Sequence, residues 1–195
     1  MGMAVTSALG RREGRLAVAT VVLAVALVLP GGTAAAQSAS APAMKAAFLY
    51  NFAKFAQWPA DALPPGQPLV LCVLDDHEVA DALEQMVRAQ IVEGHALTLR
   101  VVSADGPIRS CHLLYAGGPD SKQAAQLMNT LTGAAVFSVG DRDRFAERGG
   151  VAQFFVENDR MRFAINTVAA QRARITLSSK LLSLAKIVKD APHVQ

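Results

Sequence analysis

The chain has 195 residues, of which 52% are hydrophobic and 18% are charged, and its formal net charge is +3. The first 36 residues carry three arginines and one glutamate, so the net charge of the remainder is about +1. This balance provides no argument for a nucleic-acid partner. The remaining length suits a single domain with one hydrophobic core.

Residues 1–36 have the organisation of a secretory signal peptide. A group of arginines at positions 11–15 is followed by an uncharged apolar run at 16–29 and by three alanines that end at Ala36. This order predicts export and cleavage near Ala36. The apolar run is shorter than the ~20 residues needed to cross a bilayer, so we predict no membrane span after cleavage. Residues 37–43 are small and mostly polar, and they are predicted to form a short tether.

The next segment, 44–58, predicts an amphipathic helix rich in aromatic residues. Its apolar positions recur at steps of three and four residues and are Met44, Phe48, Phe52 and Phe55. Trp58 completes this pattern, and Pro59 is expected to end the helix. Aromatic side chains bury much apolar surface, which favours packing of this helix on a sheet. Contact of part of the aromatic face with a ligand or partner is the alternative.

Strands and helices are predicted in near alternation from residue 68 to residue 148. The predicted strands are 68–74, 97–102, 111–115 and 134–139. Helices are predicted after the first strand, after the glycines at 117–118, and at 141–148. Asp75 and Glu78 together suggest a capping box for the first of these helices. The alternation is typical of an open α/β sheet, and the continuous apolar run at 68–74 indicates a strand buried on both faces.

The last third of the chain departs from this alternation. Segments 151–157 and 160–165 flank Asn158-Asp159, which predicts an antiparallel β-hairpin. Helices are then predicted at 166–173 and 178–189. The inner stripe predicted for the second consists of Leu181, Leu184, Ala185 and Val188. The fold class expected is therefore α/β, with a mostly parallel open sheet, flanking helices and an antiparallel C-terminal hairpin in a single compact domain. This domain is predicted to span 44–190, with a tail at 191–195.

The two cysteines, Cys72 and Cys111, lie in predicted buried strands that could be neighbours. In an exported protein an even number of cysteines predicts a disulfide, although two buried thiols are the alternative. Closing a loop of about 40 residues would stabilise the fold by about 4 kcal/mol in the chain-entropy model. The cysteines lack histidines at ligand spacing, so we predict no zinc site, and no cofactor is predicted.

The sequence contains no catalytic or nucleotide-binding motif that we recognise. The carboxylates Asp75 and Asp76 follow the first strand, where open α/β sheets place ligands, but helix capping explains them equally. Gly117 and Gly118 suit either an anion-binding turn or a simple strand-to-helix connection. Nothing pairs a nucleophile with a base, and we predict that the protein is not an enzyme.

Four arginines near the hairpin and the following helix have few acidic residues close in sequence. They are Arg160, Arg162, Arg172 and Arg174. Such a cluster suits a rim that contacts an acidic partner or a phosphate. An exposed strand face alone would also explain it.

Several segments, in order along nearly the whole exported chain, resemble the YfiR-like family of periplasmic regulators. They are 45–59, Cys72, 111–114, 149–151, 162–166 and 178–182. The resemblance implies a compact α/β domain in the periplasm, often homodimeric and without enzymatic activity. It also implies that Cys72 and Cys111 form the family's disulfide. Some members carry further cysteines near the paired glycines, where this chain has Phe145 and Ala152, so the single bridge is expected to be structural.

The partner implied by the resemblance is the periplasmic sensor domain of an inner-membrane diguanylate cyclase. Repression of that cyclase would lower cyclic di-GMP and with it biofilm formation, until envelope or redox stress releases it. The residues predicted to contact the partner are Trp58, Arg160, Arg162, Ser178 and Lys180. A periplasmic solute-binding module serving a sensor kinase or transporter, with its ligand in the crevice beside Asp75 and Gly117, is the alternative.

Overall fold

The computed structural model describes residues 40–118 and 121–191. The predicted signal peptide, residues 37–39 of the predicted tether and residues 192–195 of the predicted tail lie outside the described residues. The helices in the described part are α1 (Ala41–Phe55), α2 (His77–Val87), α3 (Ser121–Leu131), α4 (Thr167–Arg172) and α5 (Ser179–Leu182). The strands are β1 (Ala56–Gln57), β2 (Leu69–Leu74), β3 (Ile91–Val92), β4 (His95–Val102), β5 (Leu113–Ala116), β6 (Phe137–Gly140), β7 (Ala152–Glu157), β8 (Arg160–Asn166), β9 (Thr176–Leu177) and β10 (Lys186–Val188).

Eight of these strands form one sheet in the order β10-β8-β7-β6-β5-β2-β4-β3. Neighbouring strands in the run β7-β6-β5-β2-β4 pair in parallel. In contrast, β8 runs antiparallel to β7, and β3 runs antiparallel to β4. The predicted α/β class, with a mostly parallel sheet and an antiparallel C-terminal hairpin, is confirmed. After β2 the chain adds β4 on one side and then β5 on the other, so a crevice opens at the carboxyl ends of β2 and β5.

Strand β2 is an interior strand of the sheet, between β5 and β4, and all six of its residues are buried. Leu69, Leu71 and Val73 pack with residues of α1 and α2 on one face. Val70, Cys72 and Leu74 pack with α3 on the other face. An uninterrupted apolar run fits this position because both faces of the strand are covered, as predicted.

Helix α1 begins three residues earlier than predicted, so the expectation of an unstructured tether up to residue 43 was wrong. The side chain of Ser40 caps the helix by accepting a hydrogen bond from the amide of Ala43. Pro42 lies in the first turn, where its missing N–H removes no intrahelical hydrogen bond. The helix also ends earlier than predicted, at Phe55, because Ala56 and Gln57 leave it to pair with β9.

The face of α1 that is buried differs from the predicted aromatic stripe. The fully buried positions are Ala46, Leu49, Phe52 and Ala53. The small alanines let the helix approach the sheet closely, and Phe52 inserts between rings of the sheet. Its ring centroid lies 5.4 Å from that of Phe137 and 5.1 Å from that of Phe163. These distances fall in the range in which aromatic pairs are favourable.

The hairpin β7–β8 is confirmed, with Glu157 paired to Arg160 across a two-residue turn. Asn158 and Asp159 have φ angles of 51° and 58°. Positive φ at both central positions matches the right-handed twist of the strands, and asparagine and aspartate tolerate it better than most residues. The sequence therefore specifies this turn locally.

Three local predictions were wrong. Segment 141–148 forms turns and not a helix, and Asp76, not Asp75, caps α2 by accepting from the amide of Val79. The predicted helix 178–189 is helical only at Ser179–Leu182, after which β10 pairs in parallel with β8. The backbone of β10 is hydrogen-bonded to the edge of the sheet and not within a helix. Leu184, assigned to the inner stripe of that helix, is 69% exposed.

Candidate functional site

One face of the C-terminal hairpin carries a group of cations around an aromatic ring. We call this group, consisting of Phe155, Arg160, Arg162 and Lys186, the hairpin face. Phe155 is paired directly with Arg162, and Arg160 follows on the same side because side chains alternate along a strand. Lys186 on β10 places its ammonium group 5.6 Å from the centroid of the Phe155 ring. The ring is thus held beneath a cation, a favourable arrangement.

One arginine of the hairpin face is paired with a carboxylate. Nε of Arg162 lies 3.2 Å from Oε2 of Glu157, and both side chains are about half exposed. The charge of Arg162 is available to a partner because such an exposed pair holds its members only weakly.

The other two arginines of the predicted cluster form ion pairs away from the hairpin face. Arg172 makes a bidentate pair with Asp190, and Arg174 lies 2.7 Å from a carboxylate oxygen of Asp61. The structure therefore brings together only Arg160 and Arg162 of the four, and it adds Lys186, which the sequence did not associate with them. A cavity of about 340 Å³ lies beside α3 and α4, with Arg172 and Asp190 in its lining.

The remaining predicted contact residues lie near the C-terminal end of α1. The indole N–H of Trp58 donates to the carbonyl of His112 at 2.9 Å, and the two rings meet edge to face. Ser178 caps α5, and its amide donates to the carbonyl of Phe55. Lys180 places its ammonium group 5.4 Å from the centroid of the Phe55 ring. Trp58, Ser178 and Lys180 are thus brought together through the β1–β9 ribbon and the end of α1.

His112 connects three parts of this corner, a role that its isolated position in the sequence did not reveal. Its Nδ1 accepts from the amide of Val70 at 2.9 Å, and its Nε2 faces the carbonyl of Ala62 at 3.1 Å. These partners select the neutral tautomer with the proton on Nε2. Burial lowers the pKa of His112 below its usual value, although the contact with Ala62 opposes this shift.

A small cavity of about 190 Å³ opens beside Trp58. Its lining combines apolar and polar residues, and the apolar ones include Ala53, Leu63 and Leu69. Glu93 and His95 are among the polar ones. Concave sites that combine apolar and polar groups are where small molecules bind.

The two groups of predicted contact residues lie at opposite ends of the sheet. Trp58 and His112 meet at the amino end of β5. The hairpin turn lies at the other end, because β7 pairs with β6 only through Ala152 and Gln153 and then continues beyond the carboxyl end of β6. The predicted set therefore does not form one contiguous surface.

The crevice at the carboxyl ends of β2 and β5 contains a polar cluster that the sequence only partly indicated. The ammonium group of Lys45 lies 2.6 Å from Oδ2 of Asp141 and 2.8 Å from the hydroxyl of Tyr115. The same hydroxyl donates to Asp141 at 2.9 Å. Lys45 comes from α1 and Asp141 from the end of β6, so their proximity depends on the tertiary fold. Gly117 borders the cluster, and a Cβ atom there would lie 2.9 Å from Oδ2 of Asp76.

The electrostatics of this cluster favour the ion pair. Burial acts to raise the pKa of Asp141, but hydrogen bonds from Lys45 and Tyr115 outweigh it, and the pKa is held below its usual range. Burial and the neighbouring Asp141 carboxylate raise the pKa of Tyr115, so its hydroxyl remains a donor. The polar groups satisfy one another and hold α1 against the sheet. In this arrangement the lysine side chain occupies the crevice that the sequence suggested for a ligand.

The structure contains the predicted disulfide between Cys72 and Cys111, whose Cα atoms are 5.8 Å apart. Cys72 lies in β2, whereas Cys111 lies before β5 and follows a short 3-10 turn. Both are almost fully buried. Within residues 40–118 and 121–191, no group of three or more His, Cys, Asp or Glu residues is placed to hold a metal ion. None of the helices in this part of the chain is long and apolar enough to cross a membrane.

Residues 42–186 match the model of the YfiR/HmsC-like family. The chain belongs to the YfiR/HmsC-like family. The match covers most of the chain, and it confirms the resemblance drawn from the sequence. The family is one of periplasmic regulators and is regulatory rather than catalytic in character.

Two solved structures are similar to this YfiR/HmsC-like chain. A conserved domain protein from Vibrio cholerae aligns with a TM-score of 0.51 and 13% sequence identity, over 78% of this chain and 61% of that chain. An ABC domain from Streptococcus pneumonia, determined in complex with L-Trp, aligns with a TM-score of 0.46 and 13% identity, over 66% of this chain and 57% of that one. This chain therefore spans about three fifths of the length of these structures. The likeness to the Vibrio cholerae protein supports the α/β fold.

An aromatic ring fills the space beside the paired glycines at 149–150. Phe145 is buried in the second core cluster, together with α3 and the disulfide. Its ring packs so closely on Gly140 and Gly150 that a Cβ atom at either glycine would come within 2.6 Å of it. Gly140 and Gly150 therefore leave the space that this ring occupies.

Proposed function

We propose that this protein is a periplasmic regulator that binds the sensor domain of an inner-membrane diguanylate cyclase and represses cyclic di-GMP synthesis. The observation that carries the proposal is the family match over residues 42–186. The organisation of residues 1–36 as an export signal agrees with a periplasmic location. The proposal includes lower biofilm formation as the cellular consequence.

The hairpin face is the surface that we assign to the cyclase. A regulator that acts by contact needs an exposed surface with groups that discriminate among partners, and charged residues around an aromatic provide this. Phe155, Arg160 and Arg162 lie on β7 and β8, which extend beyond the parallel part of the sheet, and the ammonium group of Lys186 lies near the Phe155 ring. Val156, on the opposite side of the same hairpin, is 70% exposed and offers a separate apolar contact.

Repression requires that this contact differ between the states of the cyclase. A protein that binds two states equally well shifts nothing, so the sensor domain must present its complementary surface mainly in the inactive state. Release by envelope or redox stress then amounts to loss of that preferred binding. The homodimer implied by the resemblance stays a prediction, which sedimentation of the purified chain tests.

The experiment is to delete the gene and measure cyclic di-GMP in cells that contain the neighbouring cyclase. We expect cyclic di-GMP to rise on deletion and to fall again when the wild-type gene is restored. Restoration with an Arg160→Glu, Arg162→Glu variant should fail, whereas an Arg88→Glu, Arg100→Glu variant, with the same change in charge, should succeed. Unchanged cyclic di-GMP on deletion would contradict the proposal.

The alternative function is a solute-binding module that serves a sensor kinase or transporter. The observation in its favour is the cavity of about 190 Å³ beside Trp58, whose lining includes apolar residues such as Leu63 and a carboxylate from Glu93. Ligand-dependent shifts in the thermal unfolding of the exported chain would support it. Such shifts should be lost in a Leu63→Trp variant, whose larger side chain would fill the cavity.

A further inference from the structure

The C-terminal hairpin has an open edge next to the hairpin face. Strand β8 pairs with β7 over its first six residues, but on its other side β10 pairs only with Ala164, Ile165 and Asn166. Within residues 40–118 and 121–191, no strand pairs with residues 160–163 on that side. We call these four residues the open edge. A strand edge of this kind is a template for another extended segment.

The hydrogen-bonding groups of the open edge follow from the turn. In a two-residue hairpin the residues that close the turn, here Glu157 and Arg160, bond to each other, and bonded and non-bonded pairs then alternate. This alternation turns the amide and carbonyl of Met161 away from β7 and towards the open edge. By the same alternation, the amide and carbonyl of Ile165 face β10, which agrees with the observed pairing of Ile165 with Ile187.

The side chains of the open edge exclude a second copy as its occupant. If two copies paired antiparallel about Met161, Arg160 of one would lie opposite Arg162 of the other. Like charges directly opposite one another across strands are destabilising. The arginines therefore prevent self-association at this edge, a common use of charge on edge strands.

The same side chains favour an acidic strand. Arg160 and Arg162 project from one side of β8, while Met161 projects from the other side, where it is paired with the exposed Val156. A segment with alternating acidic and apolar residues would place carboxylates beside the arginines and apolar side chains beside Met161. We propose that the open edge binds an extended protein segment of this alternating acidic and apolar pattern by adding it to the sheet as a strand. This inference rests on the proposed function only for where the segment comes from, namely the sensor domain of the cyclase.

The test uses a capped seven-residue peptide in which glutamate and valine alternate, with binding to the exported chain measured by fluorescence anisotropy. We expect saturable binding that weakens at least about tenfold in the Arg160→Glu, Arg162→Glu variant, since two opposite-charge pairs become like-charge pairs. The Arg88→Glu, Arg100→Glu variant should bind as the wild type does. A peptide of alternating lysine and valine should bind the first variant better than it binds the wild type.

Methylation of the peptide backbone separates strand addition from simple charge attraction. Methyl groups on the amides that face the open edge should abolish binding, whereas methyl groups on the intervening amides should leave it intact, because only one edge of an added strand bonds to the sheet. A peptide with the same residues grouped in blocks should bind more weakly than the alternating one. Equal binding by both methylated peptides, or no difference between block and alternating order, overturns the inference.

Capture of the sensor domain distinguishes this inference from the proposed function. If the wild type captures that domain and the alternating peptide neither binds nor competes, the function stands and the strand inference is overturned. If the peptide series behaves as expected but no cyclase sensor domain is captured, the proposed function fails and the open edge remains a strand-binding site.

Discussion

The ammonium group of Lys45 lies 2.6 Å from Oδ2 of Asp141, although 96 residues separate them in sequence. This contact ties the first turn of α1 to the carboxyl end of β6. The rest of α1 packs through apolar side chains, whose attraction is not directional. The ion pair, supported by the hydroxyl of Tyr115, therefore fixes the position of the helix along the sheet.

We expect Lys45→Met to reduce the free energy of unfolding by about 1–3 kcal/mol, since it leaves the half-buried Asp141 without its partner. Equilibrium urea unfolding measures this change. Lys54→Met is the matched control on the same helix, where the side chain is exposed and its ammonium group lies 5.3 Å from the centroid of the Tyr50 ring. It should cost at most about 1 kcal/mol. Equal losses in the two variants would show that the Asp141 contact adds no stability.

The stability of the protein should fall in mild acid because of His112. Its pKa is lowered by burial below the usual value of 6.5, so the folded state binds this proton less readily than the unfolded state does. The contribution of the neutral ring is complete above the unfolded pKa and is lost as the pH falls through the folded pKa. This residue alone contributes a slope of up to about 1.4 kcal/mol per pH unit in that window.

Urea unfolding at a series of pH values between about 7.5 and about 5 tests this expectation. His112→Gln should flatten the pH dependence in that range, whatever its effect on stability at neutral pH. His77→Gln, at an exposed position, is the control and should keep the wild-type slope. An identical slope in the His112 variant would rule out this histidine as the cause.

The parts of the fold that the sequence predicted correctly are those with strong local signals. The apolar run in β2 has no polar residue to place outside, so burial on both faces was the only consistent interpretation. The Asn158-Asp159 turn similarly favours a hairpin whatever surrounds it. The prediction of a helix over 178–189 was wrong because residues 186–188 pair as a strand with the edge of β8, which is not adjacent in sequence. Helical spacing of Leu184 and Val188 contains no information about that edge.

The candidate site was predicted only in part for the same reason. The sequence indicated Arg160 and Arg162, which lie on one strand and share a face by simple alternation. Phe155 pairs with Arg162 across the predicted hairpin. Lys186 completes the hairpin face through the pairing of β10 with β8, which no local pattern in the sequence indicates. The Lys45–Asp141 pair likewise joins two residues that no local sequence pattern indicated. Trp58 was grouped with the arginines by resemblance, and the fold separates them by the length of the sheet.

Removal of the disulfide should reduce stability strongly. Cys72 and Cys111 are 39 residues apart, and in the chain-entropy model loss of this bridge costs about 4 kcal/mol. We expect a Cys72→Ala, Cys111→Ala variant to unfold at a much lower urea concentration. Alanine is chosen because a serine hydroxyl would be buried at either position. Addition of reductant to the wild type should lower its urea midpoint towards that of the variant. A midpoint that neither the reductant nor the substitutions change would contradict a stabilising role for the bridge.

Gly150→Ala should be destabilising because of Phe145. A Cβ atom at residue 150 would lie 2.2 Å from a ring carbon of Phe145, and overpacking of this kind typically costs about 1–3 kcal/mol. Thermal unfolding of four chains measures the effect: the wild type, Gly150→Ala, Phe145→Leu and the double variant. The smaller leucine should relieve the clash, so the double variant should be more stable than the sum of the two single losses implies. If the stability losses of the two single variants simply add, the cost of Gly150→Ala does not come from its contact with Phe145.

Trp58 and Arg162 should affect different properties. Trp58→Phe keeps an aromatic ring but removes the hydrogen bond to the carbonyl of His112, and we expect it to cost about 1 kcal/mol of stability. Capture of the cyclase sensor domain should be unchanged, because Trp58 lies at the opposite end of the sheet from the hairpin face. Arg162→Glu should leave stability nearly unchanged, as the side chain is about half exposed, and should weaken capture. Arg100→Glu controls for the change in charge. If Trp58→Phe weakened capture while Arg162→Glu did not, the contact surface would be the end of α1, and the assignment of the hairpin face would be wrong.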